Sequence, residues 1–415
     1  MLVTTNVDPV AKIKVVGVGG GGCNAINTMI TDYDISGVEF MAFNTDAQAL
    51  KMSQAPITLQ LGEKLTNGLG VGGDSKMGSD AAEESLDQIQ ELLEGANMVF
   101  ITAGMGGGTG TGAAPIIAGV ARNMGALTVA VVTKPFEFEG AKKMEIAEEG
   151  ISALKDKVDT LIVVPNQRLL EIIDPNEKLS FIDAMKKVDS VLAEGVNSIS
   201  NLISQTGYIN ADFNDAKSVM QNAGTALMGI GRASGENRAE EAARAATTSP
   251  LLDMSIEGAK GVLYNIVGAD LSLNEISLVS ELIKEAVDPS AKIKFGAQID
   301  PNAGDELTIT IVATGFSDQP YTKRQNEIVG SGPSRVRTFG FEPEDKINKI
   351  NNVIVGASKN QDEDEDESLE SFDSVDAMSV DSFDDSEGSS DDLEKLKDIP
   401  SDDPFDIPAF MRKRK

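Results

Sequence analysis

A single cysteine, Cys23, in 415 residues excludes an internal disulfide. No apolar run approaches the ~20 residues that a membrane-crossing helix needs, and Met1 to Val10 lacks the layout of a signal peptide. The expected location is therefore the cytoplasm, with no direct membrane span. Cations are scarce as well: 36 Lys plus Arg stand against 66 Asp plus Glu, a formal net charge of -30. A nucleic-acid partner would need clustered Lys and Arg, so none is expected. Much of that deficit is local, because Gln361 to Glu394 holds 16 Asp plus Glu and neither Lys nor Arg. From about Asp318 apolar content falls, and such a stretch cannot bury enough surface to order itself. Residues 317–405 read as a disordered acidic linker with a root-mean-square reach of roughly 50 Å. A further absence is the lysine of a GxxxxGK[ST] phosphate loop. Any phosphate bound here must be neutralised by backbone N–H groups, helix dipoles and a metal, which implies Mg²⁺.

Glycine is what the chain has in clusters. Gly106-Gly107-Gly108-Thr109-Gly110-Thr111-Gly112 places five glycines in seven residues between the apolar run Val99 to Ala103 and an Ala-rich helix start. It reads as strand, phosphate loop, helix: the backbone can turn its N–H groups to one point, and the positive helix end favours an anion there. Gly17, Gly19 and Gly22 give a GxGxxG spacing after the strand-like Ile13 to Val18. A helical stretch follows to about Ile30. A third cluster, Gly68 to Gly73, precedes a helical pattern from about Ser79 to Leu93. The strand Val38 to Phe43 ends in Asn44-Thr45-Asp46, polar residues that suit a ribose, a phosphate or a simple Asx turn.

Strand and helix patterns continue to alternate through Leu127 to Thr133, Gly140 to Leu154 and Thr160 to Val164. Alternation implies a parallel sheet with ligands at the strands' carboxyl ends. One cleft is thus expected to collect Gly19 to Cys23, Asn44 to Asp46, Gly70 to Gly73 and Gly106 to Gly112. Phe181, Met185, Val188, Leu192, Val196, Ile199 and Ile203 then mark a long amphipathic helix, buried along one stripe and ended at Gly207. Six more patterns follow: strand Ala226 to Ile230, helix Asn237 to Ala246, strand Gly261 to Val267, helix Leu273 to Ala286, and the alternating strands Lys292 to Ile299 and Glu306 to Val312. The fold class is α/β: a Rossmann-like parallel-sheet domain joined by a long central helix to a smaller α/β domain, then a disordered tail. The expected bounds are an N-terminal extension at 1–11, a nucleotide domain at 12–178, the central helix at 179–205 and a second domain at 206–316. At the far end, Ile407, Phe410 and Met411 stand at helical spacing in the segment Asp406 to Lys415, which suits either a partner's groove or a solvated end.

The loop at 106–112 matches the signature GGGTGTG, and Asn210-Ala211-Asp212-Phe213-Asn214-Asp215 matches a catalytic loop NxDFxD. On these motifs the chain resembles the tubulin/FtsZ family of GTPases over about Lys12 to Phe316, and again at Asp406 to Arg412, a partner-binding peptide. The resemblance implies GTP/GDP in the cleft, cradled by Gly19, Gly20, Gly21, Gly22, Cys23 and Asn24, by Asn44 and Thr45, by Gly70, Gly72 and Gly73, and by Gly106 to Gly112. It assigns ribose to Glu139 and Lys143, with Lys143 standing where the family has a bidentate Arg. Guanine falls to Asp189, Asn166 and Met185. Guanine offers two adjacent N–H donors, which one carboxylate can accept and adenine cannot answer. Met185 and Gln167 depart from the family's usual residues.

In that family Asp212, Asp215 and Asn210 reach the γ-phosphate of the next subunit, orienting water, since an Asp of ordinary pKa near 4 is a poor base. Asp212 or Asn210 could instead only cap the following helix. The function so implied is a cell-division GTPase polymerising head to tail at mid-cell. Its tail from Asp406 to Lys415 would dock on membrane-tethering division proteins such as FtsA. The alternatives are a non-polymerising regulatory relative and a dinucleotide-dependent oxidoreductase. Finally, Cys23 at a helix start is expected to favour the thiolate, shielded by bound diphosphate.

Overall fold

The computed structural model describes residues 11–33, 35, 37–172, 180–204, 212–252 and 254–316. The expected extension, linker and C-terminal peptide, together with Gly207 and Asn210, lie outside them.

Strand β1 (Ile13–Val18) runs into α1 (Gly19–Asp32), and β2 (Val38–Asn44) into α2 (Ala47–Lys51). Then come β3 (Ile57–Gln60), α3 (Glu63–Thr66), α4 (Ser75–Glu84), α5 (Leu86–Leu93), β4 (Met98–Gly104), α6 (Gly108–Asn123) and β5 (Leu127–Lys134). A 3₁₀ turn at Glu137–Glu139 leads to α7 (Ala141–Lys155), β6 (Thr160–Pro165), α8 (Asn166–Ile172) and α9 (Phe181–Ser204). The remainder is α10 (Phe213–Met220), β7 (Gly224–Ser234), α11 (Arg238–Thr247), β8 (Gly261–Gly268), α12 (Leu273–Ala286), β9 (Lys292–Ile299) and β10 (Glu306–Thr314).

The strands join in the order β3-β2-β1-β4-β5-β6-β7-β10-β8-β9. From β3 to β6 every pairing is parallel, as the alternating sequence requires. These strands are covered on both faces, and their side chains alternate between two cores. Val15, Phe100, Val129, Val131 and Ile162 meet α1 and α9. Val16, Val18, Val99, Ile101, Ala130 and Val132 meet α4 to α7. The stripe expected on α9 is real: Val188, Leu192, Val196 and Ile199 are buried, with Met185 and Ile203 packed beside them. Strand β7 joins the two halves. Gly224 to Ala226 pair parallel with β6, and Leu227 to Ser234 pair antiparallel with β10. The second half has its own core, built from α11, α12, β8 and β10 around Tyr264 and Ile309.

Two elements differ from expectation. The helix expected from Ser79 to Leu93 is two helices, because the chain leaves helical geometry at Ser85, whose buried hydroxyl accepts the Gly62 N–H at 3.0 Å. Strand β3 escaped the sequence pattern because it has four residues and lies at the sheet's edge.

Candidate functional site

The two glycine loops end β1 and β4, neighbours in the sheet, and both open directly into helices. Neither α1, with Val18 at its N-cap, nor α6, with Gly107 there, receives a side-chain cap, and neither has an acidic residue in its first turn. Their first N–H groups are therefore unsatisfied donors beside a positive dipole end. The two starts touch. A Cβ on Gly19, whose φ is +71°, would stand 2.8 Å from the Gly110 nitrogen, so only glycine admits this approach.

Close packing sorts the glycines by role. A Cβ at Gly108 would meet Val71 Cγ2 at 2.5 Å, and one at Gly112 would meet the Ser75 carbonyl oxygen at 1.9 Å. Those glycines, with Gly22 against the Thr102 carbonyl, bring secondary elements together. At Gly20, Gly72 and Gly73 nothing lies within 4 Å, and at Gly70 and Gly107 the nearest atoms are 3.8 and 3.9 Å away. These positions face open space that a ligand can enter; Asn24 is exposed on α1, and Gly21, also exposed, would set a Cβ 3.4 Å from the Gly104 backbone.

The other turns are tied to the same place. Thr45 and Thr109 share a buried hydroxyl–hydroxyl hydrogen bond of 2.6 Å, locking the end of β2 to α6. Gly70 N donates to the Thr45 carbonyl at 3.2 Å, which draws in the third cluster. Asn44 is buried and its Oδ1 accepts the Asp46 N–H at 3.3 Å, so the Asx turn is present. Thr111 accepts the Gly106 N–H at 2.9 Å and braces the central loop from behind. Glu139 and Lys143 form an ion pair of 2.9 Å, and the Lys143 carbonyl lies against Gly106. All four expected clusters thus converge, with Glu139 and Lys143 alongside.

Two groups expected to read the base, Asn166 and Asp189, have distinctive surroundings. Asn166, at the end of β6, is buried, and its Oδ1 has no hydrogen-bond partner among the described residues. Asp189 is half-buried on α9, and burial pushes its carboxyl up to about 7. Leaving such groups without partners is costly unless something supplies donors to them. A base edge with two N–H groups would do so. Met185, one helical turn before Asp189, packs partly into the core beside α1.

The thiol of Cys23 corrects one expectation. It is 3% exposed, sits in the core beneath α1, and burial pushes its pKa up to about 12. The helix dipole is outweighed by desolvation, so no thiolate forms there.

The carboxylate loop stands apart. Asp212 is the N-cap of α10, with Oδ1 accepting the Asp215 N–H at 2.7 Å, so the capping role is present and leaves Oδ2 unengaged in it. The other end of α10 is pinned to the start of β6, where Thr160 Oγ1 donates to the Met220 carbonyl at 2.5 Å. The glycine loops lie at the opposite, carboxyl ends of the parallel strands. Two further contacts have no local signature: Lys294 of β9 pairs with Asp215 at 2.6 Å, and Glu194 of α9 joins Tyr33 to Arg232. Both partners are distant in sequence. Among the described residues no group of three or more His, Cys, Asp or Glu could hold a metal ion.

A model of the GTPase domain of the tubulin/FtsZ family matches residues 12–174, and a model of the C-terminal domain of the FtsZ family matches residues 224–317. The chain belongs to the tubulin/FtsZ family. Among solved structures, an empty FtsZ dimer from M. jannaschii is 44% identical, at a TM-score of 0.71, over 78% of this chain and 95% of that one. A GDP-bound CetZ1 monomer from Haloferax volcanii is 20% identical, with a TM-score of 0.65 over 74% of this chain and 96% of that one. A GTPγS-bound CetZ2 protofilament from the same organism is 21% identical, with a TM-score of 0.60 over 74% and 94%. These two show the shared fold. As a tubulin/FtsZ-family GTPase, the chain takes GTP and GDP as its nucleotides.

Proposed function

We propose that this tubulin/FtsZ-family GTPase is a cell-division protein that polymerises head to tail and hydrolyses GTP at the junction between subunits. The observation carrying this reading is that the last residue of α10, the helix whose start bears Asp212 and Asp215, is pinned at the amino end of β6, whereas the glycine loops lie at the carboxyl ends. A single subunit then holds phosphates at one end and offers carboxylates at the other. In the junction, the N–H groups at the starts of α1 and α6 bind the phosphates, and Asp189 and Asn166 read guanine. Asp212 and Asp215 of the next subunit accept hydrogen bonds from a water and aim it at the γ-phosphate. Positioning of this kind accounts for most of what a protein contributes to phosphoryl transfer.

In this reading residues 12–178 bind nucleotide, 179–205 form the spine, and 206–316 carry the acting carboxylates. Mg²⁺ would arrive with the phosphates. Asp406 to Lys415 would tether filaments to division proteins such as FtsA, in the cytoplasm at mid-cell.

Complementation tests it. Asp212→Asn keeps a good N-cap while removing the charge. Gly20→Asp sets a carboxylate in the open space before the phosphates, without the clash that any side chain at Gly108 would make. Each variant alone should lose GTP turnover, and the mixture should regain part of it. If turnover per subunit stays constant on dilution, or Asp212→Asn hydrolyses GTP normally, the shared site is wrong.

A further inference from the structure

The face that bears the carboxylates holds a cation that no motif announces. Lys294 is the third residue of β9, and its ammonium lies 2.6 Å from Asp215 Oδ1. Its backbone is well fixed: β9 pairs with β8 from Lys292 to Ile299, and Phe295 on the opposite face stacks on Tyr264 with ring centroids 5.3 Å apart. Alternation along the strand then directs Lys294 to the α10 side of the sheet. The Asp215 side chain is attached at the third residue of α10, whose start is held by the Asp212 cap. Both ends of the ion pair are thus anchored on regular elements.

We propose that Lys294 is a positioning residue for hydrolysis, holding the Asp215 carboxylate in one orientation so that it presents its free oxygen to the water attacking GTP of the adjacent subunit. This rests on the shared-site reading above. Lys294 also holds the Asp215 carboxyl below the usual carboxylate range. Of the strands packed on α10, β8 (Gly261–Gly268) has no ionisable group besides Tyr264, Lys134 of β5 pairs with Glu148, and Lys292, on the same face of β9 as Lys294, is exposed. In the isolated subunit both partners are partly exposed, with side chains 40% and 33% accessible, and such a pair adds little to stability. Its effect belongs to the assembled junction, where water is excluded and orientation governs rate.

The test is a cycle on kcat, with Lys294→Gln, Asp215→Asn, their double variant and Lys294→Arg, in full-length chain. Lys294→Gln should lower kcat for GTP about tenfold. It should leave GDP affinity within twofold, and leave sedimentation with a non-hydrolysable GTP analogue unchanged. In the Asp215→Asn background the same substitution should cost nothing further, because its only target is gone. Lys294→Arg should restore most of the rate. Full activity of Lys294→Gln alongside an inactive Asp215→Asn overturns the positioning role and leaves the shared site standing. Loss of assembly with the analogue, or an equal loss in both backgrounds, also overturns it, because Lys294 would then be packing the junction. Normal hydrolysis by Asp215→Asn would overturn both readings together.

Discussion

If Asp189 accepts the guanine edge as proposed, nucleotide binding is coupled to pH with a definite sign. In the empty subunit its carboxyl is raised to about 7 by burial, against about 3.9 in an unfolded chain. Its neutral form is therefore favoured by folding, and that contribution to stability is full below about pH 4 and lost as pH rises through about 7. Guanine reverses the preference, because two N–H donors need an ionised acceptor. Binding should then weaken as the carboxyl protonates. With a pKa near 7, the ionised fraction goes from about nine tenths at pH 8 to about one tenth at pH 6, so this group alone lowers affinity about tenfold.

The nucleotide's own phosphates titrate over the same range, and Asp189→Asn removes that background. An amide accepts one of the two donors and turns its own N–H₂ against the other. Losing a charge-assisted pair costs about 2.7 kcal/mol, or roughly a hundredfold in affinity, at pH 8. By pH 6 the ratio of native to variant affinity should have fallen to roughly tenfold, since the native carboxyl is then mostly neutral. Titration calorimetry with GDP avoids both hydrolysis and assembly. A ratio that stays constant from pH 8 to pH 6 would refute the assignment of Asp189 to the base, as would ADP binding with the same pH slope as GDP.

Two further outcomes follow from packing. Gly112→Ala would force a methyl to within 1.9 Å of the Ser75 carbonyl where α6 crosses α4. It should lower the stability of the nucleotide-free protein by about 1–3 kcal/mol in denaturant unfolding, and an unchanged midpoint would contradict that crossing. Cys23, 3% exposed and with its pKa raised to about 12, should react with iodoacetamide at pH 8 only as fast as the protein opens. Rapid labelling without GDP would place the thiol in the cleft after all.

The sequence displayed the parallel half of the sheet because its strands are buried on both faces and its helices carry one apolar stripe, signals that periodicity reports directly. It also displayed the phosphate cradle, because three turns in succession need glycine. What it could not display was which glycine serves which purpose. Gly108 and Gly112 have the same composition as Gly107, yet the first two exist for helix contacts made with Val71 and Ser75, more than thirty residues earlier, and the third for open space. Ser85 breaks a helix for a hydrogen bond to Gly62, which no local pattern records.

The face that bears Asp212 and Asp215 shows the same limit more sharply. Asp212 was legible as a motif residue and as a helix cap, and the cap is present. The two roles are compatible, because capping occupies one carboxylate oxygen and leaves the other. Lys294 lies 79 positions after Asp215 and looks, in sequence, like one more exposed lysine on an alternating strand. Only the pairing of β9 with β8, and the seat of α10 across the sheet, bring its ammonium to the carboxylate. A residue whose role is set by long-range register has no local signature, so a search by motif finds the group that touches substrate and misses the group that aims it. The same holds for Asp189, whose neighbours in sequence suit any amphipathic helix; the burial that raises its carboxyl pKa exists only after α9 has packed.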